Sequence, residues 1–114
     1  MRKTAYETAY KAAYSVFEKA FFAIASQVAN DLADADGAGD YKRGLAVAFA
    51  EGRALDLAED LARRIASRFS ETTPPGADGR ETRRAALSLA RTAAKMTAAN
   101  ILRKTSEAVE AARP

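Results

Sequence analysis

The chain has 114 residues, 48% of them hydrophobic, with 18 basic and 15 acidic side chains and a net charge of +3. It contains no Cys and no His, which excludes disulfides, thiolate nucleophiles and Cys-built zinc sites, and removes the commonest general base and transition-metal ligand. Alanine occurs 29 times against 26 larger apolar side chains, a balance that favours helix and gives a thin core, since each Ala offers little area to bury.

The spacing predicts a first helix over 3–35. Six of the nine aromatic residues lie in one seventeen-residue stretch of it. Tyr6, Tyr10, Tyr14, Phe17, Phe21, Ile24, Val28 and Leu32 follow steps of three and four, and on a helix all eight fall within an arc of roughly 80°. The stripe reads as a short heptad seam, with Tyr10, Phe17 and Ile24 at d and Tyr14, Phe21 and Val28 at a. It must be buried, either inside the chain or partly against a second copy. The tyrosines favour an edge over a deep centre, because each hydroxyl wants a polar partner.

A break follows at Asp34–Asp40, where Gly37 and Gly39 permit a helix end and Asp40 can cap the next helix. Asp34, Asp36 and Asp40 make this turn acidic. Asp34, Asp36 and Gly37 match part of a calcium-loop pattern, but the first and last ligand positions would be Leu32 and Arg43, so no metal is expected. Gly37 and Gly39 also lack the Lys-Ser/Thr of a phosphate loop, and no strand precedes them.

The second helix is expected over 40–69. Ala46, Ala50, Ala54, Ala58, Ala62 and Ala66 are spaced by four, and Gly44, Ala48 and Gly52 add a second small row. Such ridges let another helix approach closely. Leu57, Leu61, Ile65 and Phe69 supply bulk beside them. Asp56, Glu59 and Asp60 precede Arg63 and Arg64 at salt-bridge spacing, which suits an exposed face better than paired catalytic carboxylates. The charges also exclude a membrane span.

Pro74, Pro75 and Gly76 end this helix. Asp78 and Glu81 resemble a capping box opening a third helix over 79–112. Leu87, Leu89, Ala90, Ala93, Ala94 and Ile101 form a broad apolar side. Arg80, Arg84, Arg91 and Lys95 fall within roughly 60° on the opposite side, joined towards the C-terminus by Leu102 and Val109. Lys104 and Ser106 are too close in sequence to share a helix face, so no dyad is expected there.

Charge is uneven: residues 1–62 carry a net −3 and residues 63–104 a net +7. That asymmetry suggests an anionic partner or association of unlike ends. Phosphate contacts are available, but no aromatic residue interleaves the basic stripe for base stacking. Nucleic acid is therefore a possible partner that is not favoured. The Ala-rich, long-helix texture is similar to that of phasin-type granule proteins and of small phage-encoded helical proteins.

We expect one all-α domain, 1–114: an elongated antiparallel bundle of three long helices, completed by dimerisation. Charges at Glu7, Lys11, Glu18 and Lys19 interrupt any leader, and the uncharged run Ala20–Asn30 is too short to cross a bilayer, so a cytoplasmic setting is expected. The expected function is non-catalytic and without cofactor. The protein would bind another protein and block or scaffold it, in the manner of a phage or plasmid inhibitor of a host defence complex, anti-CRISPR-like. Its working surface would be Arg80, Arg84, Arg91 and Lys95, or the acidic turn Asp34, Asp36 and Asp40 acting as a phosphate mimic. The alternatives are a nucleic-acid-binding accessory protein using the same basic face, and an amphipathic coat protein of granule or membrane surfaces.

Overall fold

A computed structural model describes residues 2–35, 37, 39–74 and 76–111. Three helices account for nearly all of them: α1 (Arg2–Ala35), α2 (Asp40–Thr72) and α3 (Gly79–Ala111). At 1.5 Å per residue each is about 50 Å long. The molecule measures 56 × 21 × 18 Å, so every helix runs its full length in an up-down-up bundle. α1 packs most extensively on α2 and less on α3, while α2 and α3 touch least. Among the described residues no helix is long and apolar enough to cross a membrane.

The turns follow from local chemistry. Gly37 takes φ 65° and donates its N–H to Asp34 O at 3.1 Å, the left-handed helix ending that glycine makes without steric cost. The next helix is capped by Gly39 rather than Asp40, with no side-chain cap bond. Asp40 instead sits in the first turn, where a carboxylate favours the positive end of the helix dipole. Arg43 then closes the turn. Its guanidinium donates to Asn30 Oδ1 at 3.0 Å and pairs with the Asp34 carboxylate.

α2 continues three residues past the expected end at 69. Ser70, Glu71 and Thr72 carry nothing that forbids helix. Thr73 is forced extended (φ −83°, ψ 123°) because Pro74 follows it. Ala77 N–H donates to Pro74 O at 3.3 Å while Gly76 takes φ 81°, which turns the chain back. Asp78 caps α3 by accepting from the Arg80 backbone N–H at 2.9 Å, one residue earlier than the amide a capping box would use. The expected end of α3 at 112 lies outside the described residues.

The centre of the core differs from the heptad reading. In α1 every fourth residue from Ala5 to Ala33 is buried: Ala5, Ala9, Ala13, Phe17, Phe21, Ala25, Ala29 and Ala33. The opposing row, Glu7, Lys11, Ser15, Lys19, Ala23, Gln27 and Asp31, is exposed throughout. A repeat of four drifts about 40° per step on a 3.6-residue helix, in the sense of a right-handed winding rather than a heptad seam. α1 tolerates the drift because it is covered by both other helices. The α2 row Ala50, Ala54, Ala58, Ala62 and Ala66 is buried to the same degree. Small side chains therefore occupy the closest approach, and large ones fill the flanks: Leu57 and Ile65 are buried, and Tyr10, Tyr14, Ile24 and Phe69 pack half-buried at the margin.

Candidate interaction surfaces

The aromatic stripe is sealed inside the chain in part and half-buried elsewhere. Phe17 and Phe21 are wholly buried and Val28 nearly so. Tyr6, Tyr10 and Tyr14 are half-buried and form a ladder, with ring centroids 6.2 and 5.8 Å apart and planes within 16°. Burial raises the phenol pKa of Tyr10, and the Glu59 carboxylate raises it further. Burial likewise raises that of Tyr14, helped by Glu18. Desolvation and a neighbouring negative charge both disfavour a phenolate.

The basic face of α3 lies open. Arg80, Arg84, Arg91 and Lys95 are all exposed. Among the described residues none of the four side chains has an ion-pair partner. Four other arginines are tied down, Arg43 to Asp34, Arg63 to Glu59, Arg64 to Asp60 at 3.0 Å and Arg103 to Glu107 at 3.4 Å, whereas Arg53, Arg68 and Arg83 are exposed like the row. The pairs at Arg63 and Arg64 have the i,i+4 spacing that the sequence predicts for an exposed face. Leu102 is 47% exposed and continues the azimuth of the basic row, so this face mixes cations with an apolar anchor.

The acidic turn is exposed but partly engaged. Asp34 is held by Arg43 and Asp40 belongs to the first turn of α2. Asp36 lies outside the described residues. Among the described residues no cluster of three or more acidic side chains could hold a metal ion. Ser106 Oγ donates to Leu102 O at 2.9 Å, back along its own helix and not to Lys104.

Several exposed apolar side chains were missed in the sequence reading. Tyr41, Leu45 and Phe49 on α2 are 80%, 56% and 48% exposed. On α3, Met96 is 81% exposed and Leu89, expected on the apolar side, also faces out. The small row Gly44, Ala48 and Gly52 is exposed too, and a Cβ added at Gly44 or Gly52 would meet nothing within 4 Å. The signal was present in the sequence: Tyr41, Leu45 and Phe49 are spaced by four.

No family model, no curated protein and no solved structure matches the chain.

Proposed function

We propose that this is a non-catalytic helical interaction protein that binds another macromolecule through the basic face of α3 and blocks or scaffolds it. One observation carries the reading. Arg80, Arg84, Arg91 and Lys95 stand exposed and without ion-pair partners among the described residues, on a scaffold whose other arginines include four held in ion pairs. Exposed cations gain most from a partner that brings carboxylates or phosphates.

An acidic protein surface fits better than a nucleic acid. Leu102 extends the row as an exposed apolar side chain, and Arg is enriched in protein interfaces. No exposed aromatic residue accompanies the row to stack on bases. The protein would act in the cytoplasm, as a pair of copies, by occluding a working surface of its target. An inhibitor of a host defence complex carried by a phage or plasmid is the setting this size and inventory suit.

The test is capture from the native host with wild type and with an Arg84→Glu, Arg91→Glu double variant. Capture of one protein by wild type, lost in a double variant of equal helicity, is the expected result. Salt-dependent retardation of duplex or single strands that vanishes in the same variant would replace this reading with a nucleic-acid one.

A further inference from the structure

The first three turns of α2 carry an outward face that none of the described residues covers. Around the helix, at about 100° per residue, its positions run in a fixed order. Asp40 and Glu51 form one edge. Gly44 and Ala48 come next, Tyr41 and Gly52 share the centre at different heights, and Leu45 and Phe49 follow, so that Gly44, Ala48 and Gly52 make one inclined row and Tyr41, Leu45 and Phe49 the next. Lys42 and Arg53 form the far edge. The face is thus a groove of small residues beside a ridge of large ones, with an acidic border on the groove side and a basic border on the ridge side. Tyr41, Leu45 and Phe49 are largely exposed, and nothing lies within 4 Å of a Cβ built at either glycine. Among the described residues none of Asp40, Lys42, Glu51 and Arg53 has an ion-pair partner. Beyond Gly52 the small row turns into Asp56, Asp60, Arg64 and Arg68, so the apolar face ends where charge begins.

We propose that this face is the seat of a second copy of the chain, the two α2 helices running in the same direction about a two-fold axis parallel to them. The order of residues selects that geometry. A parallel two-fold pair brings each edge of one helix against the opposite edge of the other. The ridge Tyr41, Leu45 and Phe49 then enters the groove Gly44, Ala48 and Gly52 of the second copy. Arg53 meets Glu51 of the second copy, and Lys42 meets its Asp40. Each charge pair is offset by two residues, about 3 Å along the axis. An antiparallel pair would set ridge against ridge and Arg53 beside Lys42 or a second Arg53, which is unfavourable in packing and in charge.

Area supports a stable pair. With about 200 Å² for a whole aromatic side chain, Tyr41, Leu45 and Phe49 leave roughly 350 Å² in water. Two such faces with their small rows and charged borders reach the ~1,200 Å² at which specific interfaces begin. The inference deepens the two-copy assembly proposed above by naming its interface. It uses no residue of the α3 basic face, so the two readings fail separately.

Mass in solution by sedimentation, with helicity checked on every variant, tests it. Wild type should be a dimer of the 12.2 kDa chain at micromolar concentration. Gly52→Leu should give a folded monomer, because the new side chain has space in the single chain and none in the pair. Arg53→Glu should weaken the dimer at least tenfold, and adding Glu51→Arg to it should restore the affinity. A monomeric wild type, or a dimer untouched by Gly52→Leu, overturns the proposed face. Strengthening by Arg53→Glu, or no rescue by the double exchange, overturns the parallel arrangement.

Discussion

The rings of Phe17 and Phe21 stack with centroids 5.3 Å apart, and both side chains are wholly sealed within one chain. Part of the most conspicuous apolar feature of the sequence is therefore consumed by folding, while Tyr6, Tyr10, Tyr14, Ile24 and Leu32 stay half-buried at its margin; the association proposed above uses the outer faces of α2 and α3. Phe21→Ala should destabilise the fold by about 3–5 kcal/mol. Phe49→Ala, at a side chain half in water, should cost the isolated chain less than about 1 kcal/mol. Urea unfolding of the two variants checks the contrast.

The alanine ridge should be intolerant of bulk. Ala58 has no exposed surface and belongs to the main core cluster. Ala58→Leu forces side chains or backbone apart and should cost about 3 kcal/mol or more. Ala23 lies in the exposed row, and Ala23→Leu should stay within about 0.5 kcal/mol of wild type. Equal melting shifts for the two would contradict the ridge.

How far the sequence disclosed this arrangement depended on contrast between rows. Gly37, Gly39, Pro74 and Gly76 marked the breaks, and the steps of three and four from Tyr6 to Leu32 declared helix, so three long helices were legible. The inward row of α2 was legible too, since Ala50, Ala54, Ala58, Ala62 and Ala66 are the buried ones. Ala46, Ala50 and Ala54 continue into Ala58, Ala62 and Ala66, whereas Gly44, Ala48 and Gly52 run into Asp56, Asp60, Arg64 and Arg68, and a row that turns to charge cannot be the inward one. In α1 the large aromatics drew attention from the alanines that set the closest approach. The basic face was legible because Arg80, Arg84, Arg91 and Lys95 share one azimuth that no core could accept. Leu89 was misplaced because it sits at the border of the buried arc.

Thr105 is wholly buried and its hydroxyl has no hydrogen-bond partner among the described residues. An unsatisfied buried hydroxyl is unfavourable, and Val replaces Thr at nearly the same shape and helix propensity. Thr105→Val should stabilise the protein by about 1 kcal/mol, read as a raised denaturation midpoint with unchanged slope.

Alkaline pH should weaken the fold through the tyrosine ladder. Burial holds the Tyr10 and Tyr14 phenols above the ordinary 10.0, Glu59 adding to it at Tyr10 and Glu18 at Tyr14. The unfolded chain loses these protons first. Their contribution to stability is thus complete below pH 10 and is lost as pH rises through the raised folded values. The melting temperature should fall above that pH, and a Tyr10→Phe, Tyr14→Phe double variant should fall less steeply. Parallel alkaline losses in both proteins would refute the assignment.

Binding through α3 is tested most directly by affinity for the purified partner. By calorimetry, the Arg84→Glu, Arg91→Glu variant should bind at least about 100-fold more weakly than wild type, each reversal removing an attraction and adding a repulsion. An unchanged dissociation constant in a variant of unchanged helicity would show that the open cations of α3 are not the working surface.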